Sequence, residues 1–464
     1  MRTATLLRRL ASVPPSVAAG AAPTIQGRVA GVSGLTVEVA GLAGQAAVGD
    51  RVGLRGRRGG PLPAEIIGFR AGRAQAMALG SLEGLGPGSP AVLSLDAGSR
   101  RSGLAVSSGW LGRVVDPLGR PLDGLGPLPQ GAEARPVRAA PPDATLRARL
   151  GPPISLGVRA LDLFATCRQG QRLGLFAGSG VGKSTLMAML ARQAACDVAV
   201  FALVGERGRE VREFIEDELG PDGLARSVVI VATSDSPPLV RREAAYAAMT
   251  VAEHFRDQGQ SVLFMMDSVT RFCLALREVA LAAGEPPATR GYPPSVFAEL
   301  PRLLERAGPG LDGSNPGQIT ALFTVLVEGD DHNEPVADAV RGILDGHVIL
   351  DRRIGEGGRY PAMDVLRSLS RTVPGCLEAS EAALVRKARS ILSLHKEMAD
   401  MVRLGAYRSG SDPAVDEALR LAPGIEAVLR QERGEASDLS GAFAALRRAV
   451  GVSPERDRLE GSHA

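Results

Sequence analysis

A glycine-rich loop followed by a lysine and two hydroxyl residues occupies residues 174–185, GLFAGSGVGKST. Glycines let backbone N–H groups surround an anion, because they adopt conformations and approach distances that side chains forbid. In this pattern Lys183 contacts the β- and γ-phosphates of a nucleoside triphosphate, and Ser184 ligates Mg²⁺. Ala177 stands where the pattern begins with glycine, a change that keeps a small residue. The predicted phosphate-binding residues are Gly178, Ser179, Gly180, Val181, Gly182, Lys183, Ser184 and Thr185.

Hydrolysis of a bound triphosphate also requires carboxylates, and two of them directly follow strand-like apolar runs. Asp267 ends the run SVLFMMD, and Glu206 follows the run FALVG. Since the carboxyl ends of parallel strands meet at one edge of a sheet, both should face the phosphate loop. There Asp267 would hold Mg²⁺ through its water shell, and Glu206 would polarise the attacking water as general base. Arg207 and Glu210 would steady the site; the alternative for the tetrapeptide GERG alone is a solvated charged turn.

The elements that must position these residues alternate through the middle of the chain. The runs QRLGLFA, DVAVFALVG, SVVIVAT, SVLFMMD and ITALFTVLV are apolar and rich in β-branched residues, as strands covered on both faces tend to be. Amphipathic stretches such as STLMAMLARQAA and REVREFIEDEL lie between them. This βαβ series predicts an α/β fold class, with a mostly parallel sheet between helices and a P-loop NTPase domain over 98–372.

Different patterns flank this middle domain. Residues 24–97 run in short, alternating, glycine-punctuated segments, which predict a small closed β-barrel. Residues 373–464 lack strand runs and predict a C-terminal helical domain. Residues 1–23 hold three arginines among leucines; they predict either a basic amphipathic helix that docks onto a partner or anionic lipid, or a frayed terminus.

Composition excludes several classes of protein. The 54 basic and 51 acidic residues leave a formal charge of +3, too small to indicate nucleic acid or membrane as the main partner. The four cysteines form no CxxC spacing, so a zinc site is not expected. A barrel beside an ATPase also suggests a nucleic-acid motor, but single-strand binding needs aromatic stacking platforms, and residues 1–100 hold only Phe69. We therefore expect no nucleic-acid partner.

Long segments of the chain resemble the type III export ATPases, which are homohexameric relatives of the F-type ATP synthase catalytic subunit. They are GLFAGSGVGKST, GERGREV, MMDSVTRF, GEPPATRGYPPSVFAELPRLLERAG, VLVEGDDHNEPVADAVRGILDGHVILDR and YPAMDVLRSLSR. The resemblance covers nearly the whole chain and implies a RecA-like core. GWLGRVVDPLGRPLDGLGPL and LGVRALDLFATCRQGQRLG resemble the flagellum-specific branch more than the virulence branch.

Carried onto these positions, the resemblance assigns roles around the bound ATP. It implies Lys183 at the phosphates, Glu206 as general base and Arg207 as an active-site stabiliser. Asp267 is similar to the Walker B carboxylate, and Arg271 to the family arginine near the γ-phosphate.

Two further residues are assigned by the same resemblance. Tyr360, in YPAMD, matches the aromatic residue that packs on the adenine ring, and Arg371 matches the arginine finger that reaches a neighbouring subunit's nucleotide. A complete phosphate loop, Glu206 and Arg371 on one chain would let identical subunits build identical sites, which favours a homohexamer. The synthase catalytic subunit also carries an arginine in the matching place. A surface arginine is the alternative for Arg371.

The implied function is Mg²⁺-dependent ATP hydrolysis that energises protein export by the flagellar type III secretion apparatus. The implied partners are an export regulator at the N-terminal segment, a stalk protein in a pore lined by residues 284–295, substrate–chaperone complexes and an export gate. The implied location is cytoplasmic, peripheral to the inner membrane at the base of the apparatus. Alternatives are a virulence type III ATPase and a rotary synthase subunit, which would need a partner chain with a degenerate site.

Overall fold

A computed structural model of the chain describes residues 24–57, 60–94, 102–178, 180–313, 316–327 and 334–452. Contacts within the chain define two compact units. One contains the described residues up to Gly103 together with 237–240 and 276–286, and the other contains the remaining described residues. The predicted division at 24–97, 98–372 and 373–464 stays a prediction. Among the described residues, every helix is too short or too polar to span a membrane.

The first unit contains a closed barrel of antiparallel strands, in the order β1-β2-β5-β4-β3-β6. Its strands are β1 Thr24–Ser33, β2 Thr36–Ala40, β3 Arg51–Arg55, β4 Pro61–Arg70, β5 Arg73–Ala78 and β6 Pro90–Ser94. Alternate residues such as Val37 and Val39 on β2, and Val52 and Leu54 on β3, are almost fully buried. Their period of two fills the interior of the barrel with apolar side chains. The predicted barrel is confirmed.

The second unit is built on a central sheet with the order β19-β18-β12-β17-β15-β13-β14-β8. Its strands are β8 Arg113–Val115, β12 Arg172–Ala177, β13 Val198–Glu206, β14 Ser227–Thr233, β15 Ser261–Asp267, β16 Gly308–Pro309, β17 Gln318–Leu326, β18 Gly346–Leu350 and β19 Leu369–Ser370. Pairing is parallel except where β19 joins β18 and β16 joins β17. The mostly parallel sheet is therefore confirmed, and every residue of β13 is buried, as its apolar run predicts. Short ribbons pair β7 Gly103–Leu104 with β9 Arg135–Pro136, and β10 Pro153–Ile154 with β11 Cys167–Arg168.

Helices connect the strands and extend the chain beyond the sheet. They are α1 Arg159–Phe164, α2 Lys183–Gln193, α3 Gly208–Glu213, α4 Gly220–Ala225, α5 Pro238–Arg256, α6 Val269–Ala282, α7 Pro294–Leu304, α8 Pro335–Ile343, α9 Arg352–Glu356, α10 Ala379–Arg403, α11 Pro413–Leu429 and α12 Leu439–Val450. A π-helical turn, Phe214–Leu219, lies between α3 and α4, and 3₁₀ turns occupy Ser108–Trp110 and Thr289–Gly291.

The last three helices begin at clear capping signals. The Glu378 side chain and its partner Glu381 form a capping box at α10. Asp412 accepts hydrogen bonds from the first turn of α11, and Asp438 accepts one at the start of α12. Apolar residues of all three helices share one hydrophobic cluster with α1, α2 and the central sheet. The C-terminal helices are thus packed into the core that supports the phosphate loop.

Candidate active site

The phosphate loop connects β12 to α2, as predicted. Gly180 and Gly182 have φ values of 76° and 90°, in the left-handed region that favours glycine. Since α2 begins at Lys183, the N–H groups of its first turn have no partner within the helix and are available to an anion. Val181 is buried and holds the loop in the hydrophobic core, whereas Ser179 lies outside the described residues.

A cavity of about 760 Å³ opens in front of this loop. Most of the predicted site residues line it, namely Gly178, Gly180, Gly182, Lys183, Ser184, Thr185, Glu206, Arg207, Glu210, Asp267 and Arg271. They come from four separate segments of the chain: the phosphate loop, the end of β13 with α3, the end of β15, and α6. The sheet therefore brings together side chains that are up to about ninety positions apart in sequence.

Lys183 and Asp267 meet at the centre of the cavity. Lys183 Nζ lies 2.5 Å from Asp267 Oδ1, and the same oxygen accepts a hydrogen bond of 2.9 Å from Thr324 Oγ1 on β17. Asp267 is buried, and Thr324 is completely inaccessible to solvent. The carboxylate is thus fixed between an ammonium group and a hydroxyl group from the neighbouring strand.

Glu206 lies beside this pair. Its Oε1 is 3.9 Å from Lys183 Nζ and 3.4 Å from Arg271 Nε, and it accepts no hydrogen bond from the described residues. Burial raises the pKa of Glu206 to about 7, the charge of Asp267 acts in the same direction, and Lys183 and Arg271 oppose both. A buried carboxyl group with an unused oxygen and a pKa near neutrality suits a proton acceptor.

A glycine brings Glu206 to this position. Val204 pairs with Ala232 and Glu206 pairs with the next residue of β14, so Gly205 is an extra residue in the register. Gly205 has φ 71°, and a Cβ there would lie only 3.0 Å from Arg271 Cδ. Both the backbone conformation and the close approach of Arg271 therefore require glycine.

Arg207 and Arg271 differ in their surroundings. The Arg207 side chain is 76% exposed, and its Nη1 lies 3.3 Å from Glu210 Oε1. The Arg271 side chain is only 31% exposed and is held against Glu206 and Gly205. Arg271 is therefore the better placed of the two to act on groups at the centre of the cavity.

The residues present fit a magnesium ion and a nucleoside triphosphate. The left-handed glycines and the start of α2 form a cradle for phosphate groups, and Lys183 supplies a cation within that cradle. The Ser184 hydroxyl and the Asp267 carboxylate are oxygen donors, the kind that Mg²⁺ prefers. Glu206 lines the same cavity, and its Oε1 accepts no hydrogen bond from the described residues.

Tyr360 and Arg371 do not line this cavity. The Tyr360 ring is half exposed and lies 3.5 Å from the position of a Cβ on Gly182, at the back of the phosphate loop. Arg371 is exposed just after β19, where its Nη2 donates a hydrogen bond of 3.2 Å to the Arg341 carbonyl. Within one chain Arg371 is therefore separate from the phosphate loop, and its role toward a neighbouring subunit stays a prediction.

Sequence reasoning did not identify several residues at or beside the cavity. Arg352 lines it and begins α9, and Phe214 from the π-helical turn lines it as well. Thr324 holds Asp267 from the middle of a buried strand. A signal existed for Arg352, since the run HVILDR places charged residues directly after an apolar strand, as in the segments of Glu206 and Asp267.

Two family models match the chain. The ATP synthase alpha/beta family, nucleotide-binding domain, matches residues 157–370, and the T3SS EscN ATPase C-terminal domain matches residues 377–448. The chain is 54% identical over 426 residues to the flagellum-specific ATP synthase of Caulobacter vibrioides, covering 91% of this chain and 95% of that protein.

Solved structures are similar as well. The assembled ATPase EscN from the type III secretion system of enteropathogenic E. coli matches with a TM-score of 0.82 and 37% identity, over 91% of this chain and 100% of that one. EscN in complex with its central stalk EscO matches with a TM-score of 0.82 and 36% identity over the same shares. The predicted fold, with a RecA-like core between a barrel and C-terminal helices, is confirmed.

Proposed function

The chain belongs to the flagellar and type III secretion ATPases of the ATP synthase alpha/beta family, and we propose that it hydrolyses ATP to energise protein export by a flagellar type III secretion apparatus. The observation that carries this proposal is the single cavity in which Lys183, Glu206 and Asp267 meet at the phosphate loop. The identity of 54% to a flagellum-specific relative, against 48% to the type 3 secretion system ATPase of Xanthomonas euvesicatoria, favours flagellar over virulence export.

Binding is the task of the loop and of Lys183. Backbone N–H groups of Gly180, Gly182 and the first turn of α2 would donate hydrogen bonds to the phosphate oxygens, and Lys183 would exchange its contact with Asp267 for the β- and γ-phosphates. Ser184 and Asp267 would hold Mg²⁺, which when bound neutralises charge on the phosphate oxygens. Arg271 would stabilise charge at the γ-phosphate.

Glu206 is the proposed general base. Its carboxylate, which lines the cavity, would accept a hydrogen bond from the attacking water and orient it. After the phosphate product leaves, Glu206 would release the proton it took from water to the solvent. Arg207 is exposed and lines the cavity, where it would stabilise negative charge on the bound phosphates.

We also propose that the working form is a homohexamer in which Arg371 of one subunit completes the site of the next. Arg371 is exposed and lies outside the cavity of its own chain, as a residue that acts across an interface would. Such an arginine finger contributes about 10³ to 10⁵ in rate in other phosphoryl-transfer enzymes. The structural neighbour EscN is described as assembled, which supports an assembly here.

The proposed partners are those expected of a ring-shaped export ATPase. The complex of EscN with its central stalk EscO supports a stalk protein in a pore lined by residues 284–295. An export regulator would bind the N-terminal segment 1–23, which lies outside the described residues. Substrate–chaperone complexes would bind the C-terminal helices and an export gate would receive the cargo, at a cytoplasmic site beside the inner membrane.

Steady-state hydrolysis measured against protein concentration, with mass determined by light scattering, tests these proposals. Specific activity should rise as a large ring appears, and Glu206→Gln should lose about 10²- to 10⁴-fold in kcat. Arg371→Ala should lose about 10³-fold or more while still binding nucleotide. Arg209→Ala, at an 87% exposed arginine paired with Glu213, is the matched control and should keep normal activity. A chain without hydrolysis would refute the function, whereas activity independent of concentration or a fully active Arg371→Ala would refute the shared site.

A further inference from the structure

The carboxylate of Glu218 contacts the phosphate loop through the hydroxyl group of Thr185. Thr185, the third residue of α2, lines the cavity, and its Oγ1 donates a hydrogen bond of 3.2 Å to Glu218 Oε1. Glu218 lies in the π-helical turn Phe214–Leu219, and its side chain is 17% exposed. Its second oxygen, Oε2, is buried and accepts no hydrogen bond from the described residues. A negative charge here repels phosphate groups bound at the start of α2.

One cation of the C-terminal region faces this carboxylate. Arg433 lies in the segment 430–438 between α11 and α12, and its Nη1 is 3.1 Å from the same Oε1 of Glu218. The Arg433 carbonyl also accepts a hydrogen bond of 3.3 Å from Gln193 Nε2, at the end of α2. Arg433 thus contacts the phosphate-loop helix at its last residue and, through Glu218, at its first turn.

The segment that carries Arg433 is held firmly by the core around the site. Gln431 N donates to the Tyr360 carbonyl at 2.9 Å, and Gln431 Nε2 donates to the Gly157 carbonyl at 2.8 Å. Gln431 Oε1 accepts a hydrogen bond of 2.9 Å from Arg159 N, and Gln431 is 3% exposed. These hydrogen bonds fix the backbone of the segment and hold Arg433 within reach of Glu218.

We propose that Arg433 is a positioning residue of the nucleotide site: it neutralises Glu218 next to Thr185 and thereby sets the affinity of the phosphate loop for nucleotide. The segment between α11 and α12 then acts on nucleotide binding through one ion pair. The inference rests on the proposed function, since it concerns the same nucleotide. Neither residue touches the reacting atoms, so the effect belongs to binding and not to the chemical step.

Binding of MgADP to the full-length chain, measured by isothermal titration calorimetry, tests the proposal. Arg433→Ala leaves the Glu218 charge unpaired and should weaken binding on the order of five-fold at low salt, and less in 0.5 M salt. Glu218→Gln removes the charge and should tighten binding about two- to five-fold. The double variant should bind like Glu218→Gln, and Arg433→Lys should bind like the native chain. Arg448→Ala, an exposed arginine on α12, controls for the loss of a positive charge.

The sign of the Glu218→Gln effect separates the proposal from a structural role. A contact that merely holds the fold would weaken binding when either partner is changed, and the double variant would then bind about as weakly as Arg433→Ala. Tighter binding by Glu218→Gln, with kcat unchanged and KM lowered, supports charge control. Weaker binding by Glu218→Gln, or a double variant that binds as weakly as Arg433→Ala, overturns it. A native chain that binds no MgADP refutes the proposed function instead, so the two failures are distinct.

Discussion

Glu206 gives the protein a pH dependence that can be worked out in advance. Burial, aided by the charge of Asp267, raises the pKa of this carboxyl to about 7 against the effect of Lys183 and Arg271. Only the carboxylate form accepts a proton from water. About one tenth of the molecules carry that form one pH unit below the pKa, and about nine tenths one unit above it. kcat/KM, which reports on the free enzyme, should therefore rise about ten-fold between pH 6 and pH 8.

Changing Arg271 tests the physical origin of this midpoint. Arg271 Nε lies 3.4 Å from Glu206 Oε1, and the Arg271 side chain is 31% exposed, so solvent screens part of the attraction. Coulomb's law with a strongly screened contact gives about 1 kcal/mol, which corresponds to about half to one pH unit. Arg271→Gln removes a cation that favours the carboxylate, so its midpoint should move upward by that amount. Arg209→Gln, at an exposed arginine outside the cavity, should leave the midpoint where it is.

The assay is the initial rate of phosphate release at ATP concentrations below KM, from pH 5.5 to pH 9 at constant ionic strength and saturating Mg²⁺. Only the midpoint is compared, because Arg271→Gln should also lower the rate at every pH. A native midpoint near pH 5 would refute the argument that burial governs Glu206. An Arg271→Gln midpoint equal to the native one would show that the 3.4 Å contact does not act on the base.

Three further predictions follow from the same cavity. Because the folded chain binds a proton at Glu206 more tightly than the unfolded chain, its contribution to stability is full below pH 4.5 and is lost as the pH rises through about 7. At pH 8 Glu206→Gln should therefore have a higher unfolding temperature than the native chain and a free energy of unfolding larger by up to about 3 kcal/mol. Calorimetry should show a smaller difference in unfolding temperature at pH 5. Gly205→Ala should cost about 1–3 kcal/mol in denaturant unfolding and lower activity, since its Cβ meets Arg271, whereas Gly208→Ala, where a Cβ meets open space, should match the native chain. Lys183→Ala should lose measurable MgATP binding, and chelation of Mg²⁺ should stop hydrolysis by the native chain while purified protein keeps its thermal transition.

Local patterns were enough to predict most of the fold. The alternation of apolar and polar residues predicts the barrel strands. Apolar runs that end in Glu206 and Asp267 predict β13 and β15. The order of strand, glycine loop and helix around Lys183 depends on neighbours in sequence, so it could be read directly. The same reasoning placed both carboxylates at one edge, because parallel strands share their carboxyl ends.

Contacts between distant segments could not be read in this way. Nothing around Thr324 indicates that its hydroxyl meets Asp267, since that contact depends on which strand lies next to β15. Glu218 and Arg433 are 215 positions apart, and each alone resembles an ordinary surface charge. The proposed action of Arg371 depends on a second subunit, so neither the sequence nor the fold of one chain contains its partner atoms.

The extra residue Gly205 in β13 changes which face of the strand carries Glu206. A strand of even pleat would place Glu206 on the same face as Val204, two positions earlier, whereas the inserted Gly205 advances Glu206 to the opposite phase. The proposed general base is thus positioned by a shift of one residue in the backbone rather than by a change of apolar residues. A substitution that abolished this bulge at constant chain length would return Glu206 to the face of Val204 while every carboxylate of the site stayed in the sequence, so the motif residues alone do not ensure activity.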